Sequence, residues 1–191
     1  TIILLSISYV FSQESERNNA SFSLGDGISF SFNEGDYEFN IYGFIKPTYI
    51  YNDEKIYTAD GEYSNVFRQF KSQNSNLFFT GFAKDEKLSF TIQMDYSSSN
   101  PLVEAFIGYH FNEKTTLYFG QMQVNHNNLE MTHNEDRLRF TNRGILSQTY
   151  TENGEEFGLF FETSFGKSII FKPTLAITSG DGKNSFGDDS R

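Results

Sequence analysis

The chain has 191 residues, no cysteine and a formal net charge of -10, from 25 acidic against 15 basic side chains. The missing cysteines exclude disulfide frameworks and thiolate metal sites, and the acidic balance counts against nucleic acid as a partner. Aromatics are 17% of residues, all of them Phe or Tyr, and three residues are proline, a bias that favours β-strands.

The opening run from Ile2 to Ser12 is apolar and uncharged. It predicts the tail of a signal peptide over residues 1–12, with small Ser12 ahead of a cleavage point before Gln13; a first β-strand is the alternative. No stretch reaches the 18 apolar residues of a membrane helix, so any crossing of a bilayer must use strands. Residues 13–36 read as a polar lead-in, where Ile28, Phe30 and Phe32 alternate with Ser29 and Ser31 and suit a small hairpin. From Tyr37 the alternation is sustained through Phe39, Ile41, Gly43, Ile45, Pro47, Tyr49 and Tyr51. Pro47 cannot donate to a ladder, which predicts an edge, a bulge or a local break. Residues 52–65 read as an acidic loop turning at Asp60-Gly61, and a long strand is expected over roughly Val66 to Lys84.

Past a very short turn at 85–87, Leu88, Phe90, Ile92, Met94 and Tyr96 alternate without a fault against Ser89, Thr91, Gln93, Asp95 and Ser97. Successive strand side chains point to opposite faces, so one face is wholly apolar and the other wholly polar. About ten tilted residues is also the length that crosses a bilayer's hydrocarbon layer. A further strand carries Val103, Ala105, Ile107, Tyr109 and Phe111 against Glu104, Phe106, Gly108 and His110. After another short turn, residues 116–124 continue, faltering at Gly120-Gln121, where a bulge is predicted. Residues 125–155 lose the period and read as a long loop. The ladder resumes over Phe157 to Phe165, turns tightly at Gly166-Lys167, runs on from Ile169 to Ile177, and ends in an open loop over 179–184.

That makes seven strands, with short turns alternating with longer connections, as in outer-membrane barrels whose short turns face the periplasm. The fold class expected is all-β, a transmembrane antiparallel up-and-down β-barrel. A seven-strand sheet leaves two edges that lipid does not tolerate, so residues 37–191 read as a partial barrel, completed by strands beyond Arg191. Lys46, Lys84 and Lys172 share the polar face with Glu38, Asp95, Glu104 and Glu162 and are expected to line the pore.

Several segments carry a family likeness when taken together and in order. They are Leu77 through Gly81 to Asp95; Ala105 to Tyr109; Leu117-Tyr118-Phe119-Gly120-Gln121; Leu138-Arg139-Phe140-Thr141-Asn142-Arg143; and Phe157-Gly158-Leu159 with Ser179-Gly180-Asp181-Gly182. In this the chain resembles the phosphate-selective porin O and P family. The resemblance implies a sixteen-strand barrel in the bacterial outer membrane, commonly a homotrimer, that passes small anions such as phosphate by diffusion and holds no cofactor. It also implies that loop 125–155 folds into the lumen, which would make Arg137, Arg139 and Arg143, beside Glu130, Glu135 and Asp136, the constriction. The chain departs from the family pattern before Leu77, where Gln73, Asn74 and Asn76 stand in place of channel-facing arginines.

No enzyme is expected. A barrel hydrolase needs a nucleophile, a His base and a group that orients the base, and His110 among the polar-face serines is the nearest approach. His126 and His133 around Glu130 lack metal-site spacing, and Asp181, Asn184, Asp188 and Asp189 do not space like a calcium loop, so no metal is expected. Two other readings stand beside the porin: a barrel that binds a partner or surface glycan through its outer loops, and a soluble secreted β-sandwich.

Overall fold

The computed structural model describes residues 18–124 and 154–185. The expected signal-peptide tail and most of the expected inward loop, with Arg137, Arg139 and Arg143, lie outside the described residues. Nine strands follow in chain order: β1 Asn19–Ser23, β2 Gly27–Phe32, β3 Tyr37–Thr58, β4 Gly61–Ala83, β5 Leu88–Asp95, β6 Leu102–Asn112, β7 Thr115–Gln123, β8 Glu155–Thr163 and β9 Thr174–Thr178. Each pairs with its chain neighbours alone, giving one open, up-and-down sheet with β1 and β9 at its edges. No α-helix occurs among the described residues.

The all-β class follows from the period-two pattern as expected, with two more strands than the pattern suggests. Residues 19–32 form the β1–β2 hairpin, and β2 joins the sheet by pairing Ile28 with Ile41 through Phe32 with Tyr37. The expected loop at 52–65 is instead the end of a hairpin, where β3 and β4 stay paired from Pro47 and Ser72 to Thr58 and Gly61. Both faces of that extension are exposed, so its polar residues fit a strand as well as a loop. The Tyr49 and Phe70 rings lie 4.8 Å apart, Arg68 sits 5.5 Å over Tyr51, and Lys55 meets Glu62 at 2.7 Å. Pairing of β4 with β5 begins only at Asn76 and Asp95, so the hairpin projects beyond its neighbour by roughly 45–50 Å, at about 3.3 Å per residue.

Pro47 produces the irregularity expected of it, a register shift between Ile45 and Pro47. Gly120-Gln121 does not: β7 keeps its register with both neighbours there, and Gly120 takes φ +138° instead. The slip falls one strand earlier, between Gln93 and Met94, which pair with Glu104 and Leu102 and leave Val103 over. The strand expected over 169–177 is shorter, because Pro173 has no N–H for the ladder. Only a bridge between Phe165 and Phe171 precedes β9. Lys84 is not on the wall either. The strand ends at Ala83 because Lys84, Asp85 and Glu86 all take positive φ to make the turn.

Connections 33–36, 84–87, 113–114 and 164–173 lie at one end of the sheet, and 59–60, 96–101 and 179–185 leave from the other. Tyr37, Tyr109, Phe111 and Phe165 are exposed at the first end, and Tyr49, Tyr51 and Tyr96 toward the second. Burial runs opposite to that of a water-soluble sheet. Gln93 and Phe160, on the polar face, keep 6% and 1% of their surface, whereas Ile107 and Ile177, on the apolar face, keep 58% and 68%. Phe39 on the apolar face stacks with Phe30, Phe79 and Phe90 at 6.1 to 6.3 Å, an aromatic patch spread over β2 to β5. The Phe90 ring lies on Gly81, where a Cβ would meet it at 2.4 Å.

Candidate functional site

Alternation places the functional side chains in rows across the polar face. Near the short-turn end, His110, Thr116, Glu162 and Thr174 stand opposite one another on β6 to β9. His110 shares a hydrogen bond of 2.9 Å with Thr116 Oγ1 through Nδ1 and another of 2.9 Å with Ser89 Oγ through Nε2. A hydroxyl rather than a carboxylate therefore stands behind the imidazole. A cavity of about 290 Å³ opens beside this row, lined by Glu113, Lys114, Thr116, Glu162, Lys172 and Thr174. Of the lysines expected on the wall, Lys172 borders this cavity within electrostatic reach of Glu162, Lys46 sits half-buried on β3 at the register shift, and Lys84 is in the turn.

Toward the other end the face is denser. Gln93 Nε2 donates to Asn76 Oδ1 at 2.9 Å. Asp95 Oδ1 accepts from the Ser75 and Ser97 amides at 3.1 and 2.9 Å and from Ser97 Oγ at 2.6 Å. The Gln123 amide donates to Glu104 Oε1 at 3.1 Å. Asn76 is buried, and its Nδ2 has no partner. Leaving a buried donor unmade, or stranding one by mutation, costs about 1–3 kcal/mol, whereas removing both partners is nearly neutral. Gln93→Leu alone, which strands Asn76 Oδ1 beside the unmade Nδ2, is therefore expected to lower stability by roughly 1–3 kcal/mol, and Gln93→Leu with Asn76→Leu to recover most of it, in urea titrations. A double variant no better than the single would contradict this account of the pair.

Segment 179–185 is not the open loop its composition suggests. The Ser179 amide continues the ladder to the Phe157 carbonyl at 3.0 Å, and then the chain turns back over β8, β7 and β6. The Gly182 amide donates to Glu156 Oε2 at 3.2 Å, and the Asn184 amide to Gln121 Oε1 at 2.6 Å. Gln121 Nε2 reaches Asn184 Oδ1 at 3.2 Å and the Val103 carbonyl at 2.8 Å, and Asn184 Nδ2 donates to the Leu102 carbonyl at 3.3 Å. Gln121 is thereby wholly enclosed and Glu156 keeps 6% of its surface. Gly180, Gly182 and Asn184 take φ of +74°, +80° and +62°, a backbone that Gly and Asn adopt most readily. Between the two anchors Lys183 acts electrostatically on the Asp95 carboxylate of β5.

Sequence reasoning missed Glu156 and Lys183, and it gave Gln121 and Asn184 other roles. Two signals pointed there: the fault in alternation at Gly120-Gln121, and Gly-Asp-Gly-Lys-Asn directly after a strand. Asn184, considered for calcium, uses its side chain on Leu102 and Gln121 instead. No group of three metal-ligating side chains occurs among the described residues. What fold and face together define is an all-β, up-and-down sheet with an enclosed polar side, compatible with an outer-membrane β-barrel. A scan against protein-family models finds no match, and a search of curated proteins finds no significant one.

Proposed function

We propose that the protein is an outer-membrane porin of a Gram-negative bacterium, through whose water-filled barrel small hydrophilic solutes or anions, phosphate among them, diffuse passively. The observation that carries this reading is the inverted burial: Ile107, Leu175 and Ile177 lie open while Asn76, Gln93 and Glu156 are enclosed. Apolar surface left in water costs about 25 cal/mol per Å², whereas in hydrocarbon the same surface is at no disadvantage. Exposed aromatics toward both ends of the sheet suit the two girdles of such a barrel. Outer-membrane lipid and small anions are the partners, the homotrimer is the expected assembly, and passive diffusion calls for no cofactor.

A second reading draws on the β3–β4 hairpin, which exposes Tyr57, Tyr63, Phe67 and Phe70 beyond the reach of β5. A barrel binding a partner or glycan through that hairpin would have a closed lumen. The intact protein is expected in the detergent-extracted outer-membrane fraction and to give single-channel steps in planar bilayers. Recovery in the soluble periplasm would overturn the membrane assignment. Membrane recovery without conductance steps would overturn the porin and favour the binding role.

A further inference from the structure

Resting on the membrane half of that reading, we propose that the outward face at the base of the β3–β4 hairpin binds a phosphorylated glycolipid of the outer leaflet, with Arg68 on the phosphate and the Tyr49 and Phe70 rings against the sugar. Exposure on β3 alternates without a break up to Tyr51: odd positions from Gly43 to Tyr51 are open, and even positions from Phe44 to Ile50 are half-buried. The outward face therefore carries on unchanged through the register shift at Pro47. Beyond Tyr51 both faces are open, so the Tyr51–Arg68 pair is the last row of the wall. Tyr37, at the short-turn end, and Tyr49 lie about 30 Å apart along the membrane normal, at about 3.3 Å per residue and a strand tilt of about 40°. An apolar band of about 25 Å ends just short of Tyr49, which sets Tyr49, Tyr51, Phe70 and Arg68 at headgroup level.

Between the Ile45 and Tyr51 rows, Arg68 is the one charged side chain on the outward face of β3 and β4. It lies 5.5 Å over the Tyr51 ring, and no carboxylate among the described residues pairs with it. The acids further out on this face are engaged elsewhere: Asp53 accepts from Ser64 Oγ at 2.5 Å, and Glu62 meets Lys55 at 2.7 Å. A guanidinium backed by a ring keeps its planar fork free, and that fork matches a phosphate with two parallel hydrogen bonds. One row below, Tyr49 and Phe70 stand with ring centroids 4.8 Å apart, and Phe70 keeps 83% of its surface. Ser72 and Ser75, which share a hydrogen bond of 2.6 Å, follow on β4. Ring faces suit the C–H side of a sugar, and the Tyr and Ser hydroxyls suit its hydroxyls. A phospholipid brings the phosphate without a ring to cover the aromatics. A glycolipid that carries phosphate on its sugar brings both, at the depth where this face holds its unpaired cation.

The test uses the intact protein in an amine-oxide detergent, which offers neither sugar nor phosphate, with lipid A as the probe and native mass spectrometry as the readout. Arg68→Gln is expected to weaken lipid A binding about tenfold, and Tyr51→Leu, which removes the ring behind the guanidinium, about threefold. Lys71→Gln removes the same charge from the opposite face of β4, where Lys71 stands opposite Thr48, and is expected to leave binding unchanged. All three positions are exposed, and heat-modifiable electrophoretic mobility checks that each variant is folded. Should Tyr51→Leu fail to fold, Arg68→Gln and Lys71→Gln carry the test. No loss in Arg68→Gln, or equal losses in Arg68→Gln and Lys71→Gln, would overturn the site. So would equally tight binding of fully dephosphorylated lipid A, which removes the phosphate contact, or of phosphatidylglycerol, which removes the sugar contact. Arg68 lies outside the pore, so Arg68→Gln keeps wild-type conductance steps. Membrane recovery of the wild type without steps would remove the porin and leave this site standing, whereas recovery in the soluble periplasm would overturn both.

Discussion

On the proposed membrane reading, Ile107→Lys is expected to destabilise the protein by about 2–4 kcal/mol in lipid vesicles, the cost of a cation on the lipid face of a barrel near the bilayer midplane. Ile107 stands midway along β6 on the apolar face, in register with Phe90 on β5 and Phe119 on β7, and keeps 58% of its surface. In a water-soluble sheet so exposed a position would change stability by no more than about 0.5 kcal/mol on substitution. Thr174→Lys is the control, because Thr174 borders the polar cavity beside Glu162, where a new lysine meets water and a carboxylate. Urea titrations of both variants in vesicles give the answer. Equal tolerance of lysine at 107 and 174 would mean that the apolar face does not meet hydrocarbon.

Gly120→Ala is expected to abolish the folded form, or nearly so. A Cβ there would lie 2.3 Å from the Ala105 carbonyl oxygen and 2.7 Å from the Phe106 Cα, both backbone atoms of the paired strand. The residue also sits at φ +138°, which L side chains rarely adopt. Gly61 separates the two effects, since it has φ +136° at the hairpin tip and nothing within 4 Å of the added atom. Gly61→Ala should therefore show the conformational cost alone, about 1–3 kcal/mol. Gly120→Ala adds a clash that only parting β6 from β7 relieves. Thermal unfolding followed by heat-modifiable mobility distinguishes them, and equal midpoints would show that the close approach at Gly120 is not a constraint on the fold.

Legibility in the sequence varied with how strongly each segment's faces differ. The unbroken alternation from Leu88 announced β5, and the short turns at 85–87 and 112–114 were legible because strong strands bound them closely. Pro47 was legible as a break because its missing N–H acts whatever surrounds it. Residues 52–65 were not, since both faces of a projecting hairpin meet the same surroundings and no period is imposed on it. The slip at Val103 was hidden for another reason: register is a relation between two strands, and either strand alone alternates plausibly. Of the candidate site, Asp95, Glu104 and Glu162 were foreseen, and Glu156 and the segment bonded to it were not.

By itself the sequence determined that this chain forms an antiparallel sheet with an apolar and a polar face. Period two arises from backbone geometry and needs no distant contact. Which face would be enclosed, where the register slips, and what covers the polar wall were decided only by the tertiary structure. Gln121 and Asn184 are 63 residues apart, and their bond exists only because β8 and β9 bring the second over the first. Lys183 comes within electrostatic reach of Asp95 by the same fold-back. Hydrogen bonds and fixed charges act over a few ångströms, and strand pairing alone brings such distant groups within that range.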